Sequence, residues 1–130
     1  MTQNHNDNSK PVVIFTEGEE LKPEKLAAYE KSTRGRCLLF SLLDYGQPEL
    51  SRHVWELMNH GLNGVAISCN RLQKDGIKLT SRSMMQMFRM LEDRDAYLLV
   101  SFGADDEYFD QMKNVVTECT RLRVILGNIG

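Results

Sequence analysis

Several carboxylates in this sequence come directly after apolar runs, and this position suggests a chemical role for them. Glu17, Asp44 and Asp105 each come at or just after a run that reads as a buried strand. In an open parallel sheet the carboxyl ends of the strands form the edge where ligands bind, and carboxylate oxygens are ligands that Mg²⁺ prefers. The sequence therefore predicts a Mg²⁺ site from these residues, in a metal-binding domain or an enzyme with an acidic crevice. Helix capping and solvated acidic loops are the alternative explanation.

Nucleotide-binding motifs are missing from the sequence. Neither G-x-G-x-x-G nor G-x-x-x-x-G-K-[ST] occurs, and carboxylates at the strand ends would repel phosphate. A net charge of -2 also offers no basic field for nucleic acid or for an acidic membrane surface. We therefore predict no cofactor, no nucleic-acid partner and no membrane partner.

The three cysteines, Cys37, Cys69 and Cys119, are predicted to be free, buried thiols. Their count is odd, their spacing is wide and no export signal precedes them, which is typical of a reducing compartment and indicates a cytoplasmic protein. Cys69 at a strand end would need a nearby base to act as a nucleophile. His53 and His60 fall inside a helix and at its far end, so we predict no catalytic residue.

Apolar runs of strand type alternate with amphipathic runs of helical type. The predicted strands cover residues 12–15, 37–43, 65–69, 96–102 and 122–126. Predicted helices follow the first four strands and begin near Lys22, Pro48, Ser81 and Asp105. Between the third strand and its helix, the turn signal at residues 74–76 and the alternation at 77–79 predict a small β-hairpin insertion near residues 70–79.

This alternation predicts an α/β fold in three layers, with a mostly parallel five-stranded sheet and about four helices on its two faces. The run at 37–43 is apolar on both faces, which is typical of a strand covered from both sides. Residues 1–10 are polar and predict a flexible N-terminal tail, and residues 11–130 are predicted to form a single domain. No apolar run approaches the ~20 residues of a membrane-spanning helix.

Hydroxyl residues precede the third predicted helix, where Thr80 or Ser81 is suited to N-capping. From Cys37 onward the order of predicted elements resembles that of STAS domains, which include anti-sigma-factor antagonists. The Asp-Ser-Ser-Gly type signature of that family is missing. In STAS domains a phosphorylatable serine lies near the start of a comparable helix. The resemblance implies a regulatory domain switched by phosphorylation at Ser81 or Ser83.

Three large apolar side chains do not fit the buried stripes of their predicted helices. Met84, Met87, Phe88 and Leu91 form the inner stripe of the third helix, whereas Met85 and Met90 fall toward its flanks. Trp55 lies next to the buried stripe of the second helix. Core packing is one interpretation of these three flanking residues. The other is an adaptable surface for a partner, since methionine and tryptophan suit such contacts.

The sequence as a whole favours a non-enzymatic protein-interaction or regulatory module of a soluble intracellular system. Trp55, Met85 and Met90 are its predicted partner-binding residues, and the partner is another protein or a second copy of this chain. The Mg²⁺-dependent enzyme and the STAS-like phosphorylation switch remain the alternatives.

Overall fold

The computed structural model describes residues 12–17, 23–32, 37–103 and 106–127. The strands are β1 Val12–Glu17, β2 Cys37–Leu42, β3 Gly64–Ser68, β4 Tyr97–Ser101 and β5 Arg123–Leu126. The helices are α1 Pro23–Ser32, α2 Leu50–Asn59, α3 Cys69–Asp75, α4 Arg82–Asp93 and α5 Asp106–Glu118. The predicted N-terminal tail lies outside the described residues.

All described strands pair in parallel in one sheet, and its strand order is β1-β2-β3-β4-β5. Strands that follow each other in the chain are therefore neighbours in the sheet. Helical segments connect them, as parallel pairing requires. The predicted α/β class and the parallel sheet are confirmed.

Among the described residues, the helices that contribute to the core lie on one face of the sheet, and the predicted second helical layer stays a prediction. Strand residues of that face, such as Val65, Ile67 and Leu98, share a buried cluster with residues from α2, α3, α4 and α5. On the other face, the described residues of the cluster come from strands: Phe40, Ala66 and Leu99, with Leu38, Leu42 and Tyr97 at its margin. A sequential parallel order with right-handed crossovers places successive helices on the same side, which agrees with the positions of α2, α3, α4 and α5.

The predicted hairpin near residues 70–79 is wrong, since α3 occupies most of that stretch. Gly76 ends α3 with a φ of 70°, and the backbone N–H groups of Gly76 and Ile77 donate to the Gln73 and Leu72 carbonyls at 3.1 and 2.9 Å. The turn signal at 74–76 is therefore a helix C-cap. After it, α5 holds the chain in place: the Tyr108 hydroxyl donates to the Ile77 carbonyl at 2.7 Å, and the Leu79 N–H donates to Gln111 Oε1 at 2.7 Å.

Asn63 ties together the amino ends of three strands. Its Oδ1 accepts a hydrogen bond from the Leu39 N–H at 2.7 Å, and its backbone N–H donates to the Leu39 carbonyl at 2.9 Å. On the opposite side, the Tyr97 N–H donates to the Asn63 carbonyl at 3.0 Å. These bonds fix the register from which β2, β3 and β4 run toward their carboxyl ends.

Candidate functional site

A groove between α2 and α4 contains the most exposed aromatic side chain of α2. In this Trp55 groove, of about 450 Å³, Trp55 and Arg52 from α2 face Ser83, Gln86 and Met90 from α4. The stripe Leu50, Val54 and Leu57 is buried, and Trp55 follows Val54 by about 100° around the helix. That offset leaves the indole 47% exposed. The structure thus brings two of the three predicted partner-binding residues together.

Met85, the third predicted partner-binding residue, lies on the other side of α4. It lines a second groove, of about 490 Å³, between α4 and α5; we call this the Arg82 groove. Arg82, Gln86 and Arg89 of α4 and Asn114 of α5 are among its other lining residues. Met85 and Met90 are both partly buried and pack against the core, so each combines a core contact with an accessible edge.

Sequence reasoning missed the polar residues of the Arg82 groove. Arg82, Met85, Gln86 and Arg89 recur at spacings of three and four residues, which places them on one side of a helix. That spacing could have identified these residues as one surface of the helix. The sequence did not reveal that α5 would form the opposite wall, because this depends on the order of strands in the sheet.

Charged side chains surround Trp55 but are largely balanced. The Arg94 guanidinium lies 5.8 Å from the centroid of the Trp55 ring and donates to Asn59 Oδ1 at 2.8 Å. Arg52 pairs with Glu56 at 3.4 Å and with Glu49 at 3.8 Å. Exposed pairs of this kind contribute little to stability, so they leave the indole available for binding.

The predicted Mg²⁺ site remains a prediction, because the structure places only one of its carboxylates. Asp44 is exposed, and its Oδ1 accepts a hydrogen bond from the Gly46 N–H at 3.0 Å, which makes it a turn cap. The Glu17 side chain and all of Asp105 lie outside the described residues. Within the part of the chain that the structure describes, no group of three or more His, Cys, Asp or Glu residues is arranged to hold a metal ion.

The described residues after β2 and β3 line a small cavity at the carboxyl edge of the sheet. About 190 Å³ is enclosed beyond β2 and β3, with Asp44, Tyr45, Ser68 and Arg71 among its lining residues. Ligand crevices in open α/β sheets form where the strand order reverses, and the order here never reverses. The order of the described strands therefore provides no crevice of this kind.

Tyr45 in this cavity is a structural residue. Its hydroxyl donates to the Ala66 carbonyl at 2.6 Å, and the residue is buried. Burial raises the pKa of Tyr45 well above that of an ordinary phenol, and the Leu43 backbone and the Arg71 charge oppose this only in part. The phenol therefore stays protonated and links the turn after β2 to β3.

Cys69 and Cys119 are free and buried, as predicted. Burial raises the pKa of the Cys69 thiol to about 11, and burial followed by the nearby Glu92 charge raises that of Cys119. Because the thiolate is the nucleophilic form, neither residue is suited to covalent chemistry at neutral pH. The Cys37 side chain lies outside the described residues.

The two predicted phosphorylation sites have different surroundings. Ser81 is the N-cap residue of α4, but it makes no side-chain capping hydrogen bond, and its Oγ is buried without a partner in the described structure. The predicted capping bond is therefore absent. Ser83 is exposed and lines the Trp55 groove. Only the Ser83 hydroxyl is accessible to a modifying enzyme.

Comparisons with protein-family models, with curated proteins and with solved structures gave no match. Across the described residues, no helix combines the length and the apolar character needed to cross a membrane.

Proposed function

We propose that this chain is a non-enzymatic protein-interaction module and that its partner protein binds in the Trp55 groove. The observation that carries this proposal is the half-exposed indole of Trp55 beside the partly buried Met90, in an open groove of about 450 Å³. Tryptophan is the residue most enriched at interface hot spots, and methionine adapts its shape to a contacting surface.

The neighbouring chemistry also favours binding over catalysis. The two described thiols have raised pKa values, and the phenol of Tyr45 is committed to a backbone carbonyl. The charged groups nearest Trp55 already have partners, so burying the indole under a partner would desolvate few unpaired charges. Burial of apolar surface is then the main expected contribution to affinity.

A peptide-display selection tests this proposal directly. Random 12-residue peptides are selected against the full chain, and the enriched peptides are titrated while the emission of Trp55 is recorded. Trp55 is the single tryptophan of the sequence, so any change in emission reports on this groove. We expect a blue shift on binding, because a bound peptide removes the indole from water.

The matched control is Phe109 of α5, which is 48% exposed and lies outside both grooves. Because Trp55→Ala removes the single tryptophan, the affinities of the variants are measured by the fluorescence polarisation of a labelled peptide. Trp55→Ala is expected to weaken binding about thirtyfold, the effect of losing a hot-spot residue of about 2 kcal/mol. Phe109→Ala is expected to leave the affinity unchanged. Peptides that bind both variants equally well would overturn the proposal, as would a selection that yields no peptide sensitive to position 55.

A regulatory role by phosphorylation at Ser83 is a second candidate, in line with the STAS-like layout of the sequence. The supporting observation is that Ser83 is exposed and shares the Trp55 groove with Met90. A phosphate there would add a charge of about -1.5 to -2 beside the apolar contact surface of Trp55 and Met90. We expect Ser83→Glu to weaken the selected peptides while Ser83→Ala retains them. Equal binding by the two variants would contradict the switch.

A further inference from the structure

We infer that the partner segment is acidic and crosses α4, so that an apolar side chain enters the Trp55 groove while a carboxylate binds Arg82 and Arg89 in the Arg82 groove. This inference rests on the proposed function, since it specifies the chemistry of the partner that the Trp55 groove binds. A protein segment with this pattern matches the chemistry of both grooves.

The position of the two grooves supports a single ligand that spans them. They flank α4 on its two sides, and the exposed Gln86 lines both. A helix with its side chains is about 10 Å across, which an extended peptide covers in about three residues. The apolar anchor and the carboxylate are therefore expected about three positions apart in the partner sequence.

The charges of the two grooves differ, and this difference determines which part of the segment enters each groove. Among the lining residues of the Arg82 groove, two arginines face one glutamate, Glu118. Arg89 uses Nη2 for its 2.7 Å contact with Glu118, and no carboxylate of the described residues pairs with Arg82. In the Trp55 groove, Arg52 is already balanced by Glu49 and Glu56. Only the Arg82 groove therefore offers an unpaired positive charge.

The other groups of the Arg82 groove suit a carboxylate-bearing side chain. A guanidinium has five N–H donors in a fixed fork, so Arg82 is able to bind both oxygens of one carboxylate. Thr80 and Asn114 provide neutral hydrogen-bonding groups, and the partly buried Met85 offers apolar contact to the methylene groups of a glutamate. Arg82 and Arg89 thus act as specificity residues and Trp55 as the anchor.

The test repeats the display selection with reversed charges in the Arg82 groove. The wild-type chain is expected to enrich peptides with an aromatic or large aliphatic residue and an Asp or Glu about three positions away. The Arg82→Glu and Arg89→Glu double variant is expected to enrich Lys or Arg at that position. Lys74→Glu, a charge reversal on the exposed surface of α3 outside both grooves, is expected to keep the acidic preference.

Titrations measured by Trp55 emission quantify the same effect. For a peptide selected by the wild type, Arg82→Glu is expected to weaken binding at least tenfold, and exchanging the peptide's acidic residue for lysine is expected to restore it. The milder Arg82→Gln variant is expected to weaken binding less than Arg82→Glu does. Circular dichroism confirms that each variant is folded, and Arg82→Gln provides the measurement if a charge reversal disturbs folding.

The outcomes separate this inference from the proposed function. Peptides that depend on Trp55 but show no acidic preference, or that ignore both Arg82 variants, overturn the inference and leave the proposed function standing. A selection without any Trp55-dependent peptide overturns both. A concentration-dependent dimer in light scattering that Trp55→Ala abolishes would place a second copy of the chain in the groove and would also overturn the acidic partner.

Discussion

The two faces of the sheet are built from the same strands, but their described residues pack in different ways. On one face, residues such as Val65, Ile67 and Val100 are covered by helices. On the other face, Phe40 is only 1% exposed although its described cluster contains no helix residue. The side chain of Phe40 lies over Gly64, since a Cβ at Gly64 would be 2.9 Å from Phe40 Cε1. A glycine in the neighbouring strand therefore leaves space for this ring.

The described contacts of the second face are between strand side chains. Strand side chains alternate between faces, so an apolar run supplies both faces with large side chains. On the second face these side chains cover one another: the rings of Phe40 and Tyr97 are 6.2 Å apart, and Arg123 lies 5.5 Å from the Tyr97 ring. Its margin is still partly open, with Ile125 38% exposed.

The largest expected effect comes from the face that the helices cover. Phe88→Ala removes a fully buried ring of α4 and is expected to lower the free energy of unfolding by about 3–5 kcal/mol. Urea denaturation followed by circular dichroism measures this. Phe109→Ala is the control, with an expected loss of at most about 1.5 kcal/mol. That ring is half exposed, and its centroid lies 5.4 Å from the centroid of the Phe102 ring. Equal losses would show that the helices do not form the main core.

The second face is tested by Gly64→Ala. The added Cβ would lie 2.2 Å from the Tyr97 carbonyl oxygen, a backbone atom that is unable to rotate away. We expect a loss of about 1–3 kcal/mol in unfolding free energy, as for other overpacked sites. Gly46→Ala serves as the control, since its nearest atom is an exposed Asp44 oxygen at 3.4 Å. An unchanged urea midpoint for Gly64→Ala would contradict the close packing of Phe40, Gly64 and Tyr97.

Two tyrosines permit a smaller test of the same comparison. Tyr45→Phe deletes a buried hydroxyl that bonds the Ala66 carbonyl, at an expected cost of about 0.5–1.5 kcal/mol. Tyr97→Phe deletes a hydroxyl whose contact with Arg123 is exposed and 3.4 Å long, so its thermal midpoint should barely change. If the second variant lost more stability than the first, the polar contact on the open face would be the more important one.

The smallest expected effect is a dependence of stability on alkaline pH through Cys69. Its pKa is about 11 in the folded chain, against about 8.5 for a free thiol, so the folded state retains the proton longer. This contribution to stability is complete below about pH 8.5 and is lost as the pH rises toward 11. Between pH 7 and 9 the loss is expected to stay under about 1 kcal/mol. The urea midpoint of Cys69→Ala should fall less steeply with pH over this range than that of the wild type. Identical slopes for the two proteins would contradict the raised pKa.

Helical periodicity allowed much of the core to be predicted from the sequence. Val54 and Leu57 in α2, and Met84, Met87 and Phe88 in α4, were predicted as inward-facing and are buried. The same patterns predicted that Trp55, Met85 and Met90 would lie beside those stripes. The spacing of apolar residues along a helix determines which side of it faces the core, so these positions depend on local sequence alone.

Turn chemistry was less informative, as residues 74–76 show. Lys, Asp and Gly in succession are common in a tight hairpin turn and equally common at the end of a helix, because glycine serves the left-handed position in both. The choice depended on contacts distant in sequence. Leu72 is buried in the core, and Gln111 and Tyr108 of α5 hold the residues that follow.

The sequence by itself determined the strand and helix types, the parallel sheet and the side chains that flank each helical stripe. Only the tertiary structure decided that the sheet has a sequential strand order and that α2, α3, α4 and α5 share one face, because strand order depends on pairing between distant segments. That order places α2 beside α4 and α4 beside α5. Trp55 and Met90 thereby meet in one groove, while Arg82 and Met85 line the other. The local sequence determined the exposure of each of these residues, whereas the packing of the helices against one another brought them together in the grooves.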